Sequence, residues 1–208
     1  MKINSNTVIV GDKVILVPYK SIHVERYHQW MQSEEIRDLT ASDLLTLEEE
    51  YENQDSWYTD PKKCTFIILD KSKIKADEYD NIKERSIEAM IGDINIFYND
   101  FEDEGTAELE IMIAESSCRR KGMGREAIDI MMYYAMTSLS HLTKMFIVKI
   151  GESNQASIEL FKRIGFQQRG QVNVFKEVNL ILEINQPLID KFTIQLNNNL
   201  LFKSWDQI

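Results

Sequence analysis

Apolar residues fall into short runs and alternations, interrupted by helical stripes, and that pattern predicts an ordered series of strands and helices. Residues 14–19, VILVPY, are rich in β-branched side chains and read as a first strand. Ile22, Tyr27, Trp30 and Met31 share one stripe of a helix over residues 22–31, with Ser21 as its cap. Thr46, three residues before Glu49, forms a capping-box pattern for a second helix from Leu47 to about Trp57. Residues 65–69, TFIIL, are a second strand, and the polar, charged stretch 70–86 reads as a long connection.

Residues 87–98 give a third strand, in which Gly92 marks a bulge or a close backbone approach. Residues 100–104 are an acidic turn, and 108–114 (ELEIMIA) a fourth strand. Residues 122–139 form a helix with Ala127, Ile128, Met131, Met132 and Ala135 inward; 144–150 a fifth strand; 154–164 another helix; and 166–184 a closing pair of strands. Strands dominate the first half, and a strand–loop–helix–strand–helix unit fills the second. The expectation is an α+β domain over 1–186 with a mixed sheet, not a doubly wound one. Residues 187–208 are a C-terminal tail, either an extra helix or partly disordered.

Composition narrows the chemistry. The chain has 208 residues, 43% of them hydrophobic, as in ordinary soluble domains. No apolar run approaches the roughly 18 residues a membrane span needs, and the N-terminus lacks the apolar core of a signal peptide. A cytoplasmic location and no membrane partner are the expectations. Cys64 and Cys118 are too few for a disulfide framework and lack zinc-ligand spacing, and His23, His28 and His141 do not cluster, so no metal is expected. The net charge of −10 argues against nucleic acid. It suits a cationic substrate or basic partner, or simply solubility.

One cationic cluster stands out in this acidic chain: Arg119-Arg120-Lys121-Gly122-Met123-Gly124, between the fourth strand and a helix. It follows R-x-x-G-x-G. A glycine turn at a helix N-terminus aims free backbone N–H groups and the helix dipole at one spot, suited to a diphosphate. Glycine lets the ligand approach and permits positive φ. The spacing fits neither a Walker loop nor the dinucleotide fingerprint G-x-G-x-x-G.

With this loop in place, the second half resembles the GNAT superfamily of acyl-CoA-dependent N-acetyltransferases. Residues 108–124 resemble its strand and pyrophosphate loop, and Asn154-Gln-Ala-Ser-Ile-Glu-Leu-Phe-Lys-Arg-Ile-Gly-Phe166 its second signature. Stretches such as His23-Val-Glu-Arg-Tyr-His-Gln-Trp-Met31 and Val174-Phe-Lys-Glu-Val178 extend the resemblance, over residues 1–184, to the N-acetyltransferase 9-like group.

The resemblance implies a mostly antiparallel sheet with two splayed central strands, flanking helices, and acetyl-CoA as co-substrate in the gap. Backbone groups of Met112, Ile113 and Ala114 would hold the pantetheine arm. Arg119, Arg120, Lys121, Gly122, Met123 and Gly124 would hold the pyrophosphate. Asn154, Ser157 and Phe161 would approach from the other side.

Transfer needs a neutral amine, and a carboxylate on the fourth strand can take its proton directly or through water. Glu108 and Glu110 share one face of the fourth strand; Glu110 ranks first, being nearer the thioester, and a merely solvated face is the alternative. The acid that protonates the leaving thiolate is often a tyrosine at the position occupied here by Phe161. Three readings follow. The first is an acetyltransferase for a protein or peptide amine, N-terminal or lysine, with tubulin as a conceivable partner because the group is linked to microtubules. The others are an acetyltransferase for a small cationic amine, and a non-catalytic CoA-binding, microtubule-associated protein.

Overall fold

The computed structural model describes residues 2–75, 79, 81–98 and 104–208. Their strands form one nine-stranded sheet. In chain order these are β1 (Thr7–Val10), β2 (Val14–Pro18), β3 (Lys63–Asp70), β4 (Met90–Tyr98), β5 (Thr106–Ile113), β6 (Met145–Gly151), β7 (Gln167–Gln168), β8 (Glu177–Glu183) and β9 (Leu201–Ser204). The spatial order is β7-β8-β6-β5-β4-β3-β2-β1-β9. Every pairing is antiparallel except β5 with β6. The helices are α1 (Val24–Met31), α2 (Glu34–Thr40), α3 (Leu47–Thr59), α4 (Ile82–Ala89), α5 (Met123–Ser138), α6 (Gln155–Ile164) and α7 (Gln186–Leu196). This is the α+β class, with the mixed, mostly antiparallel sheet expected from the sequence.

Strand alternation divides the core in two. Leu109 points into a cluster built with α5, α6 and α7, and Ile111 and Ile113 pack against it. Met112 and Ala114 point the other way, to Val24, Tyr27, Trp30 and Met31 of α1 and Ile82 of α4. Gly92 is required where β4 meets β5: a Cβ there would lie 1.9 Å from the Met112 carbonyl oxygen. The β3–β4 register also shifts beside it, at Ile68/Leu69. Bulge and close approach therefore coincide.

Local caps act as their residue types dictate. Thr46 Oγ1 accepts the Glu49 N–H at 3.3 Å and the Glu49 carboxylate accepts the Thr46 N–H at 2.8 Å, closing the capping box of α3. Asn185 caps α7 through the Leu188 N–H.

Several elements differ from the sequence reading. The stripe from Ile22 begins as a 3-10 turn, Ser21–His23, whose N-cap is Lys20 and not Ser21; the imidazole of buried His23 accepts the Lys20 N–H at 3.1 Å. The connection 70–86 contains most of α4, which buries Ile82, Ser86 and Ala89, so the next strand starts at Met90. Its apolar stripe is short and broken by charges, and this hides the helix. Within 166–184 the expected pair of strands is present as β7 and β8, β7 being only two residues long. Of the acidic turn 100–104, residues 100–103 lie outside the described residues.

Residues 187–208 supply all but the first residue of α7, and β9, whose register runs from Thr7↔Ser204 to Val10↔Leu201. Helix α7 covers the outer side of α5, where Tyr133 Oη donates to Asn197 Oδ1 at 3.0 Å. Tyr133 is thereby buried, while Tyr134 is buried against the sheet, edge-on to Phe66 of β3 with ring centroids 5.4 Å apart.

Candidate active site

The parallel pair at the centre of the sheet holds for three rungs only: Thr106↔Met145, Ala107↔Phe146 and Glu108↔Ile147. Beyond Glu108, β5 stays with β4 up to Gly92↔Ile113, and β6 stays with β8 up to Gly151↔Glu177. The strands thus part at Glu108, and a wedge opens between 109–113 and 148–151. At the fork, Lys149 Nζ donates to Glu108 Oε2 at 2.8 Å, tying the two strands across the last rung. Glu110 lies one alternation further, on the same face and exposed to solvent.

The loop after β5 closes one end of the wedge. Cys118 and Arg119 complete a 3-10 turn, and Arg120 (φ 61°) and Gly122 (φ 82°) both take left-handed backbone. Gly122 is the N-cap of α5 and offers no side chain to its first-turn amides. Those N–H groups and the helix dipole face outward, beside the exposed Arg120 and Lys121. Lys13 adds a third cation, its ammonium donating to the Lys121 carbonyl at 3.3 Å. This end of the wedge fits a diphosphate.

Arg119 does something else. Its Nε donates to the Ile113 carbonyl at 2.8 Å, and a terminal nitrogen reaches Glu35 at 3.2 Å. Its guanidinium therefore holds the loop against the end of β5. Gly124 packs closely on Ile113. Met112 and Met123 are buried, and the Ala114 N–H is bonded to the Ile91 carbonyl at 2.9 Å.

On the far side, Asn154 caps α6, its Oδ1 accepting the Ser157 N–H at 3.2 Å. Ser157 is half-buried. Phe161 is 2% exposed and meets Phe166 edge-on with ring centroids 5.1 Å apart, so this position holds core packing and no titratable group.

The face carrying Glu108 and Glu110 holds polar residues that sequence reasoning missed. Thr65↔Asn95 and Asn95↔Glu110 are register partners, so one polar row crosses β3, β4 and β5. Asp93 sits beside it, opposite Met112 and 3% exposed. Burial pushes its carboxyl up to about 7, nearby Glu110 adds to the rise, and Asn95 and Lys63 oppose it. Thr65 Oγ1, Asn95 Oδ1 and the Tyr19 hydroxyl are buried without a hydrogen-bond partner among the described residues. Tyr19, Tyr27 and Trp57 form an aromatic wall over this region, and the Lys63 ammonium lies 3.6 Å from the Trp57 ring centroid. The available signal was a pair of polar residues at alternate positions, Asp93 and Asn95, in a strand otherwise apolar on both sides.

Comparison with known proteins agrees with this geometry. The family described as an acetyltransferase (GNAT) domain matches residues 13–167. An N-acetyltransferase 9-like protein of Dictyostelium discoideum is 58% identical, over 99% of this chain and 100% of its own length. Alpha/beta-tubulin-N-acetyltransferase 9 of Homo sapiens is 49% identical, over 89% of this chain and 87% of its own. The structure of spermidine N-acetyltransferase from Vibrio cholerae with CoA and spermine is similar in fold, with TM-score 0.66 at 17% identity over 85% of this chain and 98% of that one.

Proposed function

The chain belongs to the GNAT acetyltransferase family and is an acetyl-CoA-dependent N-acetyltransferase, and from that premise we propose that its acceptor is an amine of a polypeptide. The observation that carries this reading is the position of Glu110: exposed, one step past the fork, on the face where the wedge opens to solvent. A carboxylate placed there is reachable by a chain terminus or lysine held on a larger surface.

The loop between β7 and β8 supports the same reading. It presents Val174 and Phe175 to solvent, 91% and 79% exposed. Asn173 holds that tip rigidly, accepting the Phe175 and Glu177 N–H groups at 2.9 and 3.0 Å. The tip is joined to the end of β6, where the Glu152 N–H donates to the Lys176 carbonyl at 2.8 Å. An apolar knob beside the gap suits a polypeptide better than a small polyamine. The printed name of the human relative, a tubulin acetyltransferase, makes tubulin the first acceptor to try.

Acetyl-CoA supplies the activated thioester. The amides at the start of α5, with Lys13, Arg120 and Lys121, would fix its pyrophosphate, and the wedge would take the pantetheine arm. Glu108, committed to Lys149, keeps the fork closed below the reacting centre. Glu110 draws in the ammonium and helps remove its proton.

The test is thiol release from acetyl-CoA with peptides matching protein N-termini, lysine peptides and spermine as separate acceptors. Release with a peptide class that falls about tenfold or more in Glu110→Gln supports the reading. Release with spermine alone overturns it.

A further inference from the structure

We propose that Asp93, on the strand next to Glu110, is the group that holds the proton taken from the acceptor amine. The inference rests on the acetyl-transfer reading above and adds a residue that the loop, the wedge and the second signature do not include.

The geometry is specific. Asp93 and Glu110 are diagonal neighbours on one face of the β4–β5 pair, the first buried and the second open to solvent. Among the described residues, the side-chain hydrogen bond to the Asp93 carboxylate is a long one, from Asn95 Nδ2 at 3.5 Å. Buried polar groups normally find partners. Here Asn95 Oδ1, Thr65 Oγ1 and the Tyr19 hydroxyl are all at least nine-tenths buried and unpartnered among the described residues. They form a polar strip leading from Glu110 under the aromatic wall, and at its far end Tyr19 and Thr65 line a small cavity with Asn4, Gln54 and Trp57. Such a strip suits ordered water able to carry a proton.

The groups facing Asp93 set its affinity for that proton. They are Tyr19 after β2, Tyr27 on α1, Asn95 on its own strand, Lys63 on β3 and Glu110 on β5; Glu50 on α3 faces the two tyrosines. Both tyrosines are themselves shifted upward, mainly by burial, and stay neutral. Of the charged neighbours, only Lys63 favours the ionised carboxylate; burial and Glu110 oppose it and win, leaving Asp93 near 7.

An α-ammonium loses its proton near 7.7–8.0 and an ordinary glutamate gains one near 4.3. A group near 7 is therefore about one unit from the donor, whereas an ordinary glutamate is more than three. Proton transfer works best when the two lie close together.

The steps balance. One ammonium N–H bond breaks and its proton goes, through water, to a carboxylate oxygen of Asp93. The freed lone pair attacks the thioester carbon. The C–N bond forms, the C–S bond breaks, and a second proton leaves nitrogen and ends on the CoA sulfur. Asp93 then returns its proton to solvent past Glu110.

The test compares full-length wild type, Asp93→Asn and Glu110→Gln, using the peptide acceptor found above, as kcat/KM from pH 5.5 to 9. Wild type should show an acid limb near pH 7. Asp93→Asn should lose about tenfold or more at pH 7.5 and lose that limb, with CoA affinity unchanged by calorimetry. Glu110→Gln should be slower with the limb retained. Folding is checked by melting temperature. Ionising a buried carboxyl destabilises wild type as pH rises from about 4 through 7, so Asp93→Asn should be the more stable protein at pH 8 but not at pH 5.

An Asp93→Asn enzyme with wild-type rate and limb overturns the assignment alone. A wild type that binds CoA but acetylates no peptide overturns the polypeptide reading and this one with it.

Discussion

Gly92 and Asp93 are consecutive on β4, and each is governed by what faces it on β5. Replacing Gly92 with alanine drives a methyl into the Met112 carbonyl, a backbone atom that cannot step aside. A loss of about 1–3 kcal/mol in urea unfolding is expected, with reduced turnover because β5 carries Glu110; an unchanged midpoint would contradict the close approach. Gly122 is different. Its φ of 82° penalises alanine by about 1–2 kcal/mol, and the Lys13 ammonium, near the site of the new Cβ, can move. The clearer readout there is CoA affinity by calorimetry, which should weaken several-fold. His23 is fully buried between Lys20 and Ser86, where its Nε2 lies 3.2 Å from the serine hydroxyl. Burial, with Lys20 adding to it, pushes the imidazole down to about 3. The unfolded chain binds that proton near 6.5, so stability is lost as pH falls from about 6.5 toward 3. A His23→Gln variant should show a flatter melting temperature across that range.

At the scale of elements, the C-terminal segment is part of the structure that supports the site. Phe192 of α7 is 1% exposed in the α5-side core and Trp205, just past β9, is 5% exposed in the opposite one, so the segment from α7 onward reaches both halves. Phe192→Ala should cost about 3–5 kcal/mol by chemical unfolding; a cost under about 1 would mean that α7 is only loosely docked. What could be read from sequence follows from how local each signal is. The capping box of α3 depends on residues three apart, and β5 and the start of α5 on alternation and glycine spacing, so all were legible. The β1–β9 pair joins Thr7 to Ser204, and no local pattern signals a contact between the two ends of the chain. Helix α4 is eight residues long with only three buried, too short a stripe to stand out from its charges.

At the scale of the molecule, the fold was legible because two signatures about 30 residues apart fix the order of strand, loop and helix. The site was half legible. Its cofactor end is written in glycines and cations, which carry their conformational and electrostatic meaning in the sequence itself. Its acceptor end is assembled by the sheet, which sets Thr65, Asp93, Asn95 and Glu110 on one face from three strands. The alternation of Asp93 and Asn95 in an otherwise apolar strand is a local signal, but it does not name their partners on β3 and β5. The splay after Glu108 joins the two ends, and acetyl transfer through it is the central claim. Mass spectrometry of N-terminal peptides, the tubulin sequences first, incubated with acetyl-CoA and the full-length protein tests it most directly. The expected result is one added acetyl group per peptide, matched by one CoA thiol, and sharply reduced in Glu110→Gln. Tight CoA binding with no acetylated peptide would contradict it.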